Sequence, residues 1–234
     1  MYKNALLCGS IKNPCVLFLH GFLGEKEDWQ QIIEPLANRF YCLAIDYIDP
    51  SCIIRQLDEL NIKKCSLVGY SMGGRIALQL KVAFPGRFLK TIALSAHVGL
   101  NSEEEKNKRW EEDLKWIEIL KKEGIHQFLT LFYKQPVFET LQNTPLLAEL
   151  ILKRSKLNPL DIEHMLKRNS LAHQNFNIPK NTHFLCGAKD LKYLTLYRNL
   201  LSAHQFEIIE GAGHAIHLEN PEKCGELLCK HLIG

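Results

Sequence analysis

The chain has 234 residues, of which 46% are hydrophobic and 24% are charged, and its formal net charge is +3 at pH 7. This is the composition of an ordinary globular protein, and the weak charge argues against the clustered basic face of a nucleic-acid-binding protein. No run reaches the roughly 18 apolar residues of a membrane span, and no signal peptide is visible. We therefore expect a cytoplasmic protein without a membrane or nucleic acid as its partner.

Short apolar segments rich in β-formers alternate with helical patterns in both outer parts of the chain. The predicted strands cover residues 15–19, 41–45, 65–69, 89–95, 183–187 and 206–210. The predicted helices cover about residues 28–40, 52–61, 72–83, 191–202 and 219–232. This alternation predicts an α/β fold with a mostly parallel sheet flanked by helices.

The alternation fails between residues 99 and 180, where every pattern is helical. Gly99 and Pro179 are plausible edges of this block. We expect residues 1–98 and 181–234 to form one core and residues 99–180 to form an all-helical cap inserted into it.

The eight cysteines include no pair with CxxC spacing, and several lie in apolar runs. A free thiol in such a run behaves as a small hydrophobe. We expect thiols of the core rather than disulfides or metal ligands, which fits a reducing cytoplasm. Nothing in the sequence decides between a monomer and a homo-oligomer.

The segment Gly69-Tyr70-Ser71-Met72-Gly73 follows a predicted strand and opens a predicted helix. This is the context of a nucleophile elbow, in which a serine occupies a strained turn between small neighbours. The helix N-terminus directs free N–H groups at the reacting oxygen. We predict that Ser71 is functional; the alternative is a packing turn of small residues.

A His20-Gly21 pair follows the first predicted strand, as in loops that form half of an oxyanion hole. We predict that the backbone N–H groups of Phe22 and Met72 converge on a developing oxyanion. His20 could act as a base, but we expect it to brace the loop.

A catalytic serine needs a base and an acid that orients it, and an elbow serine is followed in the chain by the acid and then the histidine. Asp190 follows one predicted strand, and His214 lies on a Gly-Ala-Gly-His turn after the next. Both are at carboxyl ends of neighbouring strands, where α/β sites lie. We predict Ser71, His214 and Asp190 as a triad.

Rival residues have weaker positions. His217 lies outside the tight turn, and Asp46 and Asp49 precede the serine. No metal-ligand spacing joins the remaining histidines, which include His97, His126, His164, His173 and His183. We therefore expect neither a metal site nor a cofactor.

Several motifs together resemble the α/β-hydrolase fold, namely HGFLGEKEDW, LVGYSMGGRIAL, CGAKDLKY and GAGHAIHLENP. The Ser-x-x-x-Arg spacing from Ser71 to Arg75, with FLTLFYKQPVFETL and MLKRNSLAHQ, resembles the 2-succinyl-6-hydroxy-2,4-cyclohexadiene-1-carboxylate synthases of menaquinone biosynthesis. The match covers roughly residues 15 to 221.

This resemblance implies a lyase that abstracts a carbon-bound proton from a succinyl-cyclohexene and expels pyruvate. The triad would then serve as base or as relay to the base, without an acyl-enzyme. The implied partner is a small anionic molecule with several carboxylates.

A substrate with several carboxylates needs fixed cations, and a guanidinium pairs with carboxylate in a bidentate fork. Arg75 lies one helical turn after Ser71, and the alternative for it is a surface or salt-bridged arginine. By resemblance, Arg109 and Arg154 are further carboxylate binders and Tyr70 is a pocket wall. Lys153 and Arg168 are rivals of Arg154.

The chain departs from the family in three places. The segment DYIDPSCIIRQ replaces a longer glycine-rich loop, Phe132-Tyr133 replaces Trp-Tyr, and the start is short, so we expect reduced edge strands. Two other functions stay open. One is a hydrolase of esters, thioesters or carbon–carbon bonds with Ser71 as nucleophile, and the other is a non-catalytic binding protein.

Overall fold

A computed structural model describes residues 5–46, 49–142 and 144–233. The chain divides into two compact units, one formed by Met1–His97 with Ile178–Gly234 and the other by Val98–Asn177. Within the described ranges, no helix is both long and apolar enough to span a membrane.

The first unit contains a seven-stranded sheet. Its strands are β1 (Ala5–Cys8), β2 (Cys15–Leu19), β3 (Tyr41–Ile45), β4 (Cys65–Tyr70), β5 (Phe88–Leu94), β6 (Thr182–Gly187) and β7 (Phe206–Ile209). They lie in the order β1-β3-β2-β4-β5-β6-β7. Strand β1 pairs antiparallel with β3, and the other neighbouring strands among the described residues are parallel. The predicted mostly parallel sheet is confirmed.

The helices of this unit are α1 (Gln30–Leu36), α2 (Pro50–Glu59), α3 (Met72–Ala83), α8 (Leu191–Leu200), α9 (Ile216–Glu219) and α10 (Pro221–Ile233). Helix α3 packs against β2, β4 and β5, and α10 packs against α1 and β5. The central strands β2, β3 and β4 are buried along nearly all their length, as expected for parallel strands covered by helices.

The predicted helix over residues 28–40 is shorter in the structure. A 3₁₀ turn at Lys26–Trp29 leads into α1, which ends one residue after Pro35. Helix α2 begins two residues earlier than predicted, because the Asp49 carboxylate accepts hydrogen bonds from the N–H groups of Ser51 and Cys52. Two residues of the shortened segment before it, Tyr47 and Ile48, lie outside the described residues.

Strand β1 was not predicted. Its four residues are mostly half-buried rather than alternately buried and exposed, so they carry no clear strand pattern. It pairs along its whole length with β3.

The second unit is helical. It contains α4 (Glu103–Tyr133), α5 (Glu139–Gln142), α6 (Pro145–Arg154), α7 (Pro159–Arg168) and 3₁₀ turns at Pro136–Phe138 and Leu171–His173. Helix α4 is kinked at Gly124, which has φ 76° and ψ 173°. Helices α6 and α7 and the last 3₁₀ turn pack against α4.

The two ends of the helical unit are hydrogen-bonded to each other. The Leu100 N–H donates to Gln174 O at 2.9 Å, and the Asn177 N–H donates to Val98 O at 2.9 Å. Gly99 has φ 106°, and a Cβ there would lie 2.2 Å from Asn175 O. Glycine is therefore required where the chain enters this unit.

All eight cysteines are free thiols, and Cys42, Cys65, Cys186 and Cys224 are buried. Burial raises the pKa of the Cys42 and Cys186 thiols to about 12. These two thiols therefore stay protonated and unreactive at neutral pH. The burial of all four cysteines confirms the prediction of core thiols at these positions.

Candidate active site

Ser71 occupies the sharp turn between β4 and α3. Its backbone has φ 50° and ψ −107°, an unfavourable conformation for a residue with a Cβ. Its N–H donates to Leu94 O at 2.8 Å, which ties the turn to β5. The turn leaves the serine half-buried at the N-terminus of α3.

The glycines around Ser71 are needed because backbones meet closely there. A Cβ on Gly69 would lie 2.4 Å from Gly73 O, and one on Gly73 would lie 2.2 Å from Leu19 O. A Cβ on Gly74 would lie 2.5 Å from the Ala96 side chain. The first turn of α3 can therefore contact the β2 and β5 ends only with glycine at these positions.

The structure brings Ser71, His214 and Asp190 into one hydrogen-bonded row. His214 Nε2 is 3.1 Å from Ser71 Oγ, and His214 Nδ1 is 2.7 Å from Asp190 Oδ2. His214 and Asp190 are buried, with 4% and 3% of their surface exposed. Asp190 also caps α8, since Oδ1 accepts from the Tyr193 N–H at 3.4 Å.

A residue that sequence reasoning missed holds the histidine turn in place. The Glu219 carboxylate accepts hydrogen bonds from the backbone N–H groups of Gly213, at 2.8 Å, and Ala215, at 2.9 Å. These are the two residues that flank His214. Glu219 lies in α9, a four-residue helix directly after the turn.

The loop after β2 is held by His20, as expected. Its Nδ1 is 2.7 Å from Gly21 O, and its Nε2 is 3.1 Å from Asp46 O, so both ring nitrogens face backbone oxygens. A Cβ on Gly73 would lie 2.4 Å from His20 O, so this loop touches the first turn of α3. Phe22 follows in the loop.

Met72 is the first residue of α3. Its N–H is one of the four at a helix N-terminus that have no carbonyl partner within the helix. The loop that carries Phe22 therefore contacts the first turn of α3, which begins at Met72.

Tyr70 directly precedes the serine and Arg75 lies four residues after it. Both side chains are buried, with 8% of their surface exposed. The Tyr70 ring packs on His214 with centroids 5.3 Å apart, and on His217 at 4.3 Å. The Arg75 N–H donates to Ser71 O at 3.0 Å, one helical turn from the serine.

The rival base and acids are engaged elsewhere. The His217 ring is buried against Trp29, with centroids 4.8 Å apart, as well as against Tyr70. The Asp46 carboxylate accepts from the Lys26 N–H at 2.8 Å and from its Nζ at 2.7 Å. Asp49 caps α2.

The Tyr197 side chain is hydrogen-bonded to the backbone that follows β5, close to the turn at Ser71. Its hydroxyl donates to Ala96 O at 2.9 Å and accepts from the Ala96 N–H at 2.7 Å. Burial raises the pKa of this phenol well above its usual value, so it remains neutral and can donate. Ala96 in turn packs against Gly74 of α3.

The two predicted arginines of the helical unit have different surroundings. Arg109 Nε is 2.9 Å from the buried Asp113 Oδ1, and its side chain is 32% exposed. Arg154 is buried, and its guanidinium lies over the Tyr133 ring at 5.5 Å from the centroid. Burial lowers the pKa of the neighbouring Lys153.

Comparisons with known proteins identify the family of the chain. The "Alpha/beta hydrolase family" matches residues 16–227. The chain is 32% identical over 228 residues to the 2-succinyl-6-hydroxy-2,4-cyclohexadiene-1-carboxylate synthase of Escherichia coli O1:K1, covering 89% of each chain. It is 33% identical to the synthase of Escherichia fergusonii, with the same coverage.

Among solved structures, MenH from S. aureus superposes with a TM-score of 0.87 and covers 99% of this chain and 98% of its own. Its sequence identity is 22%, so this likeness concerns the fold. Taken with the matches in sequence, it confirms the α/β-hydrolase fold. The chain belongs to the alpha/beta hydrolase family and, within it, to the family of the 2-succinyl-6-hydroxy-2,4-cyclohexadiene-1-carboxylate synthases.

Proposed function

We propose that the chain is a carbon–oxygen lyase of menaquinone biosynthesis. It would eliminate pyruvate from 2-succinyl-5-enolpyruvyl-6-hydroxy-3-cyclohexene-1-carboxylate to give 2-succinyl-6-hydroxy-2,4-cyclohexadiene-1-carboxylate. The observation that carries the proposal is the 32% identity over 89% of both chains to synthases of that product. The row Ser71–His214–Asp190 supports it, because the reaction needs a base.

The functional groups of the substrate dictate what the catalyst must do. The succinyl ketone acidifies the ring C–H bond beside it, because removal of that proton gives an enolate with its charge on the ketone oxygen. The electron pair then moves through the ring double bond, and the ether bond to the enolpyruvyl group breaks. The leaving enolate takes up a proton and becomes pyruvate, so no electron acceptor or cofactor is required.

Ser71 and His214 supply the base in this proposal. Since His214 Nε2 is 3.1 Å from Ser71 Oγ, the ring can take the hydroxyl proton while the serine oxygen takes the proton from carbon. Asp190 holds Nδ1, which leaves Nε2 as the accepting nitrogen and stabilises the imidazolium that forms. Ser71 acts as base rather than as nucleophile.

The enolate oxygen needs donors that do not have to reorganise as charge develops. We assign this role to the backbone N–H groups of Phe22 and Met72. Met72 contributes in addition the positive end of the α3 dipole.

The substrate's carboxylates need cations. We assign Arg75 to one of them because it lies one helical turn after Ser71 in α3 and a guanidinium pairs with a carboxylate in a bidentate fork. Family resemblance assigns Arg109 and Arg154 to the others and Tyr70 to the pocket wall. We further propose that the helical unit is the cap of this enzyme and that the protein works in the cytoplasm.

The decisive experiment follows pyruvate release and loss of substrate absorbance, with the substrate made in situ from isochorismate and 2-oxoglutarate by the preceding enzyme. Ser71→Ala should lower kcat by roughly 10³-fold or more, as loss of a triad member does. Arg75→Ala should lower kcat/KM by about 10- to 100-fold, the value of a charge-assisted hydrogen bond.

Two further variants sharpen the test. Arg75→Lys keeps the charge but loses the bidentate fork, so its activity should lie between those of wild type and Arg75→Ala. Arg39→Ala, which alters an exposed arginine, should match wild type. Pyruvate release at the spontaneous rate, together with Ser71-dependent cleavage of p-nitrophenyl esters, would instead establish the serine hydrolase alternative.

A further inference from the structure

Three side chains of metal-ligating type meet at the end of the sheet opposite to the triad. They are His183 near the start of β6, Glu207 near the start of β7 and His231 near the end of α10. One ligand atom from each lies within 4.8 Å of the others. The triad residues instead follow the carboxyl ends of the strands, so the two groups lie at different edges.

The distances approach those of a coordination sphere. Glu207 Oε1 is 2.7 Å from His231 Nε2 and 3.7 Å from His183 Nε2. Tetrahedral coordination with metal–nitrogen bonds of about 2.0–2.1 Å places donor atoms roughly 3.3–3.4 Å apart, between these two values. The two imidazole rings stack with centroids 3.6 Å apart and an interplanar angle of 24°, so both histidines lie on the same side of Glu207 Oε1.

His183 Nε2 is buried, and among the described residues it has no hydrogen-bond partner. A buried polar atom without a partner carries an uncompensated desolvation cost. An ion that accepted the lone pair of this nitrogen would remove that cost.

A cavity adjoins the two histidines. His183 and His231 both line a cavity of about 500 Å³ together with Thr91 and Thr182. The hydroxyls of these two threonines are buried and lack hydrogen-bond partners among the described residues, so His183 Nε2 is not the one unsatisfied polar atom at this end of the sheet.

We propose that His183, Glu207 and His231 bind a divalent transition-metal ion of the Zn²⁺ class. Two imidazoles and one carboxylate suit Zn²⁺, Co²⁺ or Ni²⁺, and water completes the coordination. Because the ligands come from three separate elements, the bound ion ties α10 to the edge of the sheet. It is distant in the fold from the proton-transfer chemistry.

The competing interpretation is a plain ion-pair network. Lys230 Nζ is 2.7 Å from Glu207 Oε1, the same oxygen that both imidazoles approach. Its side chain is 61% exposed, so it can swing into solvent when an ion binds. This lysine separates the two interpretations, since it would repel a metal ion but would be an essential member of an ion-pair network.

The test titrates chelator-treated full-length protein with ZnCl₂ by calorimetry and follows the unfolding temperature. Wild type should bind one Zn²⁺ and unfold at a higher temperature. Loss of a residue that only supports a metal ligand lowers metal affinity by roughly 10- to 100-fold. We expect a larger loss of Zn²⁺ affinity in each of His183→Ala, His231→Ala and the double variant. Lys230→Gln should bind roughly tenfold more tightly, because a repelling charge is gone.

His126→Ala is the matched control, because this exposed histidine lies in the helical unit; it should bind as wild type does. Pyruvate release should be unchanged in every variant of the site, so this proposal and the proposed function fail separately. Absence of saturable binding would overturn the proposal. So would equal Zn²⁺ affinity in the wild type and the double variant, which would place the ion on thiols or on His214.

Discussion

Glu219 is a positioning residue for the proposed base. Its carboxylate holds the N–H groups on both sides of His214, so it sets the distance from Nε2 to Ser71 Oγ without touching either. Glu219→Ala removes both hydrogen bonds, and we expect kcat for pyruvate release to fall by roughly 10- to 100-fold with KM little changed, because a small misplacement of a catalytic group has such an effect. Steady-state kinetics measure both constants.

Glu219→Gln keeps one acceptor oxygen and should retain more activity than Glu219→Ala. The exposed Glu222 of α10 provides the matched control, and Glu222→Gln should behave as wild type. A merely structural role would show itself as a lower unfolding temperature with kcat per folded protein unchanged, and that result would contradict the prediction.

The triad side chains could be predicted from sequence motifs, whereas Glu219, which hydrogen-bonds to backbone N–H groups, could not. Ser71, Asp190 and His214 were predicted from an elbow motif, a chain order and a glycine-rich turn, and the structure brings them together. Glu219 was missed because its partners are N–H groups, which every residue except proline has. Its position five residues after the histidine is the one signal that was available.

Glu163 links two helices of the helical unit. Its carboxylate lies 2.8 Å from Lys121 Nζ of α4 and 2.6 Å from Lys167 Nζ of its own helix α7. Hydrogen bonds from these ammonium groups lower its pKa from 4.5 to about 2. A lowered folded-state pKa stabilises the fold above the unfolded pKa, and that stability is lost as the pH falls from about 4.5 towards 2.

We therefore expect Glu163→Gln to unfold at a lower temperature than wild type at pH 6 and to lose less of its stability between pH 4.5 and pH 2. Thermal unfolding followed by circular dichroism across this range measures the difference. Glu118→Gln removes a pair within α4 alone and should change the acid transition less. Parallel pH profiles for Glu163→Gln and wild type would show that the ion pairs do not link the helices energetically.

Element bounds followed local signals where these were strong. The predicted helix over residues 72–83 has the same bounds in the structure, and the helical pattern predicted after residue 99 contains the α4 helix with its kink at Gly124. Gly124 has a positive φ with no atom near its missing Cβ, so the bend comes from backbone freedom rather than crowding. A sequence shows such a glycine but not the direction of the bend.

Binding of an anionic ligand should stabilise the whole molecule. A ligand that binds only the folded chain adds about 2.7 kcal/mol when its concentration is 100 times its Kd. We expect 2-succinylbenzoate, an aromatic analogue of the proposed product, to raise the unfolding temperature of wild type and to have little effect on Arg75→Ala. Its dimethyl ester is the matched neutral control, and an equal shift with the ester would rule out recognition by charge.

At the scale of the whole chain, the alternation of strand and helix was enough to predict the sheet class. It could not give the strand order, because the order depends on which strands pair across long connections. It also could not bring His183, Glu207 and His231 together, since these lie on three elements and share no spacing. Family resemblance predicted the function, whereas residue patterns alone left a hydrolase open.

The backbone of Ser71 has one more consequence. A serine held at φ 50° forgoes on the order of 1–3 kcal/mol of folding stability, which glycine at the same position would recover. Glycine would also remove the hydroxyl on which the proposed chemistry depends. Directed evolution for heat resistance alone would therefore favour glycine at position 71 and give an inactive protein. A screen that also demands turnover would keep the serine.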